Sequence, residues 1–402
     1  MKLTIIGGGG VRTPLAVPPI LRRAAQMGLD ELCLMDIDAE KLRIFSALAR
    51  QVARSQGSAL RITSTVEARP ALEGASFVIT TIRVGDDQGR ALDERIALRH
   101  GVLGQETTGA GGFAMALRSI PAILGYAELL ETVSPGAWML NFTNPAGLVT
   151  QALRDRGFTH TIGICDSANG AQRAVAGWLN VDGRRLRAEV FGLNHLSWAR
   201  AVWLDGQNVL APLLGDPAFR RATMLRLFDP RLIEAMGLWL NEYLFYWYHS
   251  RQALEAIQGE KRSRGEAILA WNRELLAQLR KLDIEGDPET ARGYYSAYLA
   301  RRSGTYMAYG AEGEARPPRL ATDDEEGYMG VALDTILSLS TGQPLYTALN
   351  VPNEGAIDGM RPGDVVEITC RVDGDGVHSQ PMGAIPEAQE LLMRTVKLYE
   401  RL

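Results

Sequence analysis

Short apolar runs recur along the first part of the chain and alternate with longer amphipathic stretches. Leu3 to Ile6, Glu31 to Met35, Phe77 to Ile82, Trp138 to Phe142 and Thr161 to Cys165 are brief, apolar and bounded by glycine or polar residues, the signature of buried strands. Helical spacing begins near Pro14, continues through Ile20, Leu21 and Ala24, and returns over 38–55, 114–131, 145–156 and 170–180. Strands that alternate with helices predict a parallel α/β sheet. The polar residues after each strand should then gather along one sheet edge, where such sheets bind ligands.

The first strand runs directly into Gly7, Gly8, Gly9 and Gly10. Glycines at a strand-to-helix junction permit a tight turn and close approach to a pyrophosphate, whose charge the exposed helix-terminal N–H groups favour. Asp36 ends the second run, roughly 25 residues after the glycines, where an acid can hydrogen-bond the adenosine ribose and favours NAD over NADP. The fingerprint departs from its usual form. Reading from Gly7 places Arg12, and reading from Gly8 places Thr13, where a third small residue is usual. The expectation is a Rossmann-like nucleotide domain with contacts at Gly7, Gly8, Gly9, Gly10, Val11, Arg12, Asp36 and Thr81.

Beyond about residue 190 the pattern changes. Residues 222–282 read mainly as helix, with aromatics crowded between Trp239 and Tyr248. Asp373 to Gly376 reads as a tight turn between short strands, and 386–402 as a closing helix. The expected division is 1–190 for the nucleotide domain and 191–402 for a mixed α+β domain carrying metal, substrate and oligomer contacts.

A chain of 402 residues exceeds what one core usually supports, in keeping with two domains. The formal net charge of −4 gives no general attraction to nucleic acid or anionic membrane. Apolar runs such as Phe77-Val78-Ile79 are too short to span a bilayer. Cys33, Cys165 and Cys370 form no disulfide framework and suit a reducing compartment. Met1-Lys2 leads straight into the first strand, so the expected location is cytoplasmic.

Candidate chemistry centres on Cys165 and His195, within Gly163-Ile164-Cys165-Asp166-Ser167 and Gly192-Leu193-Asn194-His195. A thiolate and a neutral imidazole are good ligands for a first-row divalent metal, which water and neighbouring substrate hydroxyls can complete. The bland alternative is a small core thiol and a satisfied core imidazole. Asn144, before Pro145, can orient hydroxyls or simply precede a helix start. Arg83, just after a strand, can pair with a phosphate or carboxylate, or form a structural salt bridge. The glycine-rich segment Gly104 to Gly112 reads as an active-site loop, against an ordinary surface turn. Tyr243, Tyr246 and Tyr248 punctuate an aromatic helix, and a nearby cation would let one of them take a proton from carbon. Lys261, Arg262 and Arg264 form a basic cluster or a solvated helix end.

With these motifs in this order, the chain resembles glycoside hydrolase family 4, whose NAD-dependent glycosidases share the lactate and malate dehydrogenase fold. The resemblance spans nearly the whole chain: the glycine-rich start, Arg83-Val84-Gly85, Gly104 to Gly112, Asn144-Pro145-Ala146, Cys165, Gly192 to His195 and Asn350 to Asn353. It implies NAD+ and Mn2+ as cofactors and a cycle of oxidation at sugar C3, elimination across C1 and C2, water addition and reduction. Cys165 and His195 would hold the metal, with Tyr243 taking the C2 proton and Tyr246 as its competitor. Arg83 matches a phosphate-recognising position, Arg264 would assist from the second domain, and Asn144 and Asn194 would meet the substrate. The overall likeness is to 6-phospho-β-glucosidases acting on a phosphorylated disaccharide or β-glucoside, as a homodimer or homotetramer. Asp166, where β-acting members commonly carry Asn, resembles a leaving-group acid of some α-acting members. Ser167-Ala168-Asn169 replaces a common proline-containing turn, so anomeric preference and phosphate dependence stay open. Outside this reading stand a 6-phospho-α-glucosidase or unphosphorylated-glycoside hydrolase of the same family, a 2-hydroxy acid dehydrogenase and a non-catalytic NAD-binding protein.

Overall fold

The computed structural model describes residues 1–303 and 327–401. Its first strands are β1 (Lys2–Ile6), β2 (Glu31–Met35), β3 (Arg61–Thr65), β4 (Phe77–Thr80) and β5 (Trp138–Asn141). They pair in parallel in the order β5-β4-β1-β2-β3, with Ile6 opposite Met35 and Thr80, and Thr80 opposite Asn141. This register aligns the carboxyl ends of the strands. The N–H groups of Gly7 and Gly8 both donate to the Met35 carbonyl at 2.8 Å, and Thr81 N–H donates to Ile6 at 2.8 Å. Expected strands and connecting helices are present, and β3 is an addition. As an outer strand of this set it reads Arg-Ile-Thr-Ser-Thr and none of its residues is buried, so it never forms an apolar run.

Packing groups the chain otherwise than at residue 190. One unit comprises Met1–Pro145 together with 256–303, and the other Ala146–Glu255 together with 327–401. The return of 256–303 has a plain cause: the helix Ala39–Ser55 offers Ile44, Phe45 and Leu48, which bury against Leu275, Leu276, Leu279, Tyr295 and Tyr298 of the helices Arg264–Leu279 and Pro288–Ser303. Such non-directional burial depends on matching faces rather than on chain order. In the same unit the helix Gly109–Val133 is long and apolar enough to cross a membrane by length and composition alone. It packs on the helix Asp86–Arg99, where Arg118 grips Asp93 through its two terminal guanidinium nitrogens at 3.1 and 2.5 Å.

The other unit holds β6 (Thr161–Gly163), β7 (Leu186–Leu193), β8 (Leu196–Leu204), β9 (Gln207–Asn208), β10 (Trp239–Leu240), β11 (Leu345–Pro352), β12 (Val365–Asp373) and β13 (Gly376–Ser379). Antiparallel pairing runs β13-β12-β11-β6, with Asn350 opposite both Glu367 and Gly163. A second set runs β10-β8-β7, with β9 on β8, and β12 lies against β7. The expected turn at Asp373 to Gly376 joins β12 to β13, and a helix closes the chain over Glu387–Glu400. The aromatic stretch is not one helix. Trp239–Leu240 pairs with β8, Glu242–Leu244 forms a 3₁₀ turn, and only Phe245–Tyr248 is α-helical. Asn241 causes the break: its side chain accepts from the Tyr243 N–H at 3.0 Å and caps the turn.

Candidate active site

In the first unit the glycine junction is built as its sequence demands. Gly7 has φ +97°, and a Cβ there would lie 2.5 Å from the Thr81 carbonyl oxygen, so no side chain fits. Gly10 N–H closes on Gly7 at 3.0 Å, Arg12 precedes the helix Thr13–Met27, and the Val11 carbonyl accepts from the Tyr295 hydroxyl at 2.7 Å. Asp36 follows β2 and accepts from the N–H groups of Gly9 at 2.9 Å and Asp38 at 3.0 Å. Burial raises its pKa, and those two donors oppose the rise. Asn144 follows β5 half-buried, joined to Pro145 by a cis peptide. Gly7 to Arg12, Asp36, Thr81 and Asn144 thus all follow carboxyl ends of the parallel strands.

Arg83 lies in a denser cluster of the same unit. It pairs with Glu106 at 2.5 Å, and Arg90 meets the same carboxylate oxygen at 2.8 Å. Burial alone would raise the Glu106 pKa, but the positive charges of Arg83, Arg90 and Arg302 win and hold it at about 2. Arg90 also donates to the buried Glu94 at 2.8 Å, and Glu94 accepts from the Gly265 N–H at 2.7 Å. That bond anchors the start of the helix Arg264–Leu279, so Arg264 belongs to the first unit and not, as expected, to the second. Sequence reasoning missed Glu94, Arg90 and Arg302. Glu106 at least lay within the polar loop that had been singled out.

The second unit assembles the thiol and the imidazole. Cys165 follows β6, and His195 occupies the two-residue turn between β7 and β8 with φ +64°. Gly192 makes the turn sit close: a Cβ there would fall 2.3 Å from the Leu196 carbonyl oxygen. Cys165 Sγ and His195 Nε2 lie 3.5 Å apart, and Ser167 Oγ is 3.2 Å from the sulfur. Burial pushes the thiol pKa up, and the negative charges of Glu367 and Asp166 add to that. Asp166 Oδ1 is 3.9 Å from the sulfur. The Tyr243 ring stacks on His195, with centroids 3.8 Å apart and planes 12° from parallel, whereas Tyr246 sits 6.0 Å from Tyr243.

Ligands at about 2.0–2.3 Å from one shared cation lie roughly 3.1–3.6 Å apart for bond angles between octahedral and tetrahedral, so the 3.5 Å separation fits a divalent ion. Among the described residues no group of three or more His, Cys, Asp and Glu side chains forms a metal cage. Two protein donors leave coordination positions for water or substrate, as a catalytic site requires.

Asn194, the expected substrate contact, is tied into the fold around the hairpin. Its side-chain oxygen accepts from the Gly147 N–H at 3.3 Å, and its amide donates to Glu367 at 3.1 Å. Asn169, in the turn that departs from the family pattern, accepts from the Ala348 N–H at 2.9 Å and ties the cysteine loop to β11. Glu367 escaped sequence reasoning because its partners are scattered along the chain. Burial raises its pKa to about 7, against hydrogen bonds from Asn194, Ser197 and Asn350.

Two family profiles account for nearly all of the chain: Family 4 glycosyl hydrolase matches residues 2–181, and Family 4 glycosyl hydrolase C-terminal domain matches residues 190–402. The chain belongs to family 4 of the glycosyl hydrolases. Those profiles meet near residue 190, so the family's division and the packing units do not coincide. This glycosyl hydrolase is 32% identical to a probable 6-phospho-beta-glucosidase of Bacillus subtilis, covering 100% of this chain and 87% of that protein. It is 30% identical to a 6-phospho-alpha-glucosidase of Lacticaseibacillus paracasei, covering 100% and 88%. The 6-phospho-beta glucosidase of Thermotoga maritima, solved with manganese, NAD+ and glucose-6-phosphate, superposes at a TM-score of 0.81 with 26% identity, covering 100% and 88%. Malate dehydrogenase of Plasmodium falciparum, 11% identical with a TM-score of 0.55 over 100% and 96%, shares the fold alone.

Proposed function

We propose that this family 4 enzyme is a 6-phospho-β-glucosidase that works with NAD+ and Mn2+. The observation that carries the reading is the 3.5 Å approach of Cys165 to His195 with Tyr243 stacked on the imidazole. When bound, NAD+ supplies a hydride acceptor and donor for sugar C3, and Mn2+ supplies Lewis acidity at the neighbouring sugar oxygens. Cys165, as thiolate, and His195, as neutral imidazole, hold the metal. Tyr243 takes the C2 proton, because its ring stacks directly on the metal-binding imidazole. Asp166, next to the cysteine, delivers a proton to the departing C1 oxygen. Gly7 to Arg12, Asp36 and Thr81 bind the dinucleotide. Arg83 and Arg264 receive the 6-phosphate and Asn144 the sugar hydroxyls, while Asn194 positions the hairpin.

The bacterial β-acting relatives and the manganese- and NAD+-containing homologue support this substrate and cofactor set. The α-acting relative, nearly as similar, supports a second reading, which Asp166 favours as a leaving-group acid. A cytoplasmic site of action fits three buried free thiols, and a dimer or tetramer remains part of the proposal. The test is a panel of aryl 6-phospho-β-, 6-phospho-α- and unphosphorylated glucosides with NAD+, Mn2+ and a thiol reductant. Fastest turnover is expected on the 6-phospho-β-glucoside, with solvent deuterium entering at C2 and no net NADH. Faster α-glucoside or unphosphorylated cleavage would reassign the substrate. Inactivity on every glycoside, or stoichiometric NADH from lactate or malate, would overturn the glycosidase reading.

A further inference from the structure

Glu367 lies near the start of β12, fully buried, within the run Val365-Val366-Glu367-Ile368. Its three hydrogen-bond donors are all neutral. Asn350 Nδ2 reaches it across the ladder at 3.2 Å, Asn194 Nδ2 at 3.1 Å and Ser197 Oγ at 2.8 Å. A buried carboxylate satisfied only by neutral groups costs stability that an apolar side chain would not. What the position gains in return is visible in where the donors come from.

Asn194 and Ser197 bracket His195 on the β7–β8 hairpin, so one carboxylate grips the turn on both sides of the imidazole. The connection continues beyond Ser197. Its Oγ accepts from Asn241 Nδ2 at 3.1 Å, and the same amide donates to Ser167 Oγ at 3.1 Å. Ser167 Oγ in turn lies 3.2 Å from Cys165 Sγ. Asn241 also caps the turn that carries Tyr243. A single hydrogen-bonded chain thus links Glu367 to the hairpin of His195, the loop of Cys165 and the turn of Tyr243.

We infer that Glu367 is the positioning residue that presets the Cys165–His195 separation for a divalent cation. The inference rests on the reading that those two side chains hold the metal. Groups outside the coordination sphere tune affinity by fixing ligand orientation, and a nearby negative charge favours a cation.

The experiment measures Mn2+ binding directly, by the electron paramagnetic resonance signal of the free ion, without substrate or turnover. Wild type, Glu367→Ala, Glu367→Gln and Cys165→Ser are compared, with circular dichroism and the melting transition reporting the fold. Glu367→Ala should weaken Mn2+ about 10–100-fold, in line with other outer-shell partners. Glu367→Gln, which keeps the acceptor oxygen for both asparagines but loses the charge, should weaken it by a smaller factor. A folded Glu367→Ala protein with wild-type Mn2+ affinity and a lowered melting temperature would show a purely structural role and overturn the inference. If the alanine variant does not fold, wild-type affinity in Glu367→Gln overturns it instead. Cys165→Ser separates the two failures. If it loses the metal while the Glu367 variants keep it, only the positioning role falls. If it binds Mn2+ like wild type, the metal site and the inference fall together.

Discussion

Tyr243 and Tyr246 differ by three positions, and Tyr243 stacks on His195 with ring centroids 3.8 Å apart. Tyr243→Phe keeps that stack and removes the hydroxyl. We expect kcat to fall by about 10²–10⁴-fold, the usual worth of a positioned base, with Mn2+ affinity unchanged. Tyr246→Phe should leave kcat within a few-fold, and equal losses in both would end the assignment. Glu106 supports a prediction of another kind. Its folded pKa, about 2, lies below the ordinary 4.5, so between those values the unfolded chain binds more protons and stability rises with pH. The contribution is fully present above about pH 4.5 and is lost as pH falls toward 2. Urea midpoints measured across pH 2.5–5 should therefore climb more steeply in wild type than in Glu106→Gln. Parallel profiles would show that the three arginines do not hold this carboxylate ionised.

At the scale of elements, the β7–β8 hairpin leaves no room for a side chain at Gly192. Gly192 has φ +148°, and an added Cβ would meet backbone atoms of Leu196 and Ser197 within 2.4 Å. Neither atom can swing aside, so the hairpin itself would have to open. Gly192→Ala should cost roughly 2–4 kcal/mol, in the range of severe backbone and core changes, and weaken Mn2+ binding through His195. Thermal melts and the same metal titration would check both halves, and a melting temperature within a degree of wild type would contradict the geometry. The aromatic segment teaches the complementary lesson. Read by periodicity it was a helix, but Trp239–Leu240 finds a ladder partner in β8 and Asn241 caps a new turn. Propensity yielded to pairing that only the folded chain supplies.

For the molecule as a whole, the consequential feature is the return of 256–303 to the first unit. Phe45, fully buried, packs where the helix Ala39–Ser55 meets those later helices. Phe45→Ala should cost about 3–5 kcal/mol. In hydrogen exchange, amides of 264–279 and 288–303 should lose protection together with those of 39–55. Unchanged protection in the later helices would refute the grouping. The Glu94 bond to Gly265 makes the same join in polar terms, 171 residues apart in sequence.

What the sequence determined by itself was local. β1, β2, β4 and β5 were legible because buried parallel strands are continuous apolar runs, Gly7 because its tight turn admits no side chain, and Asp36 because an acid ending a buried strand is conspicuous. Cys165, His195 and Arg83 stood out for their chemistry within short polar motifs. The tertiary structure decided everything that depends on distant partners: that Cys165 meets His195, that Arg83 shares Glu106 with Arg90, that Arg264 belongs to the first unit, and that a buried acid of β12 holds the histidine hairpin. The physical reason is one of range. Periodicity and turn chemistry act over a few residues, whereas hydrogen-bond satisfaction of a buried group such as Glu367, 170 residues from Ser197, is settled only when the chain has folded around it.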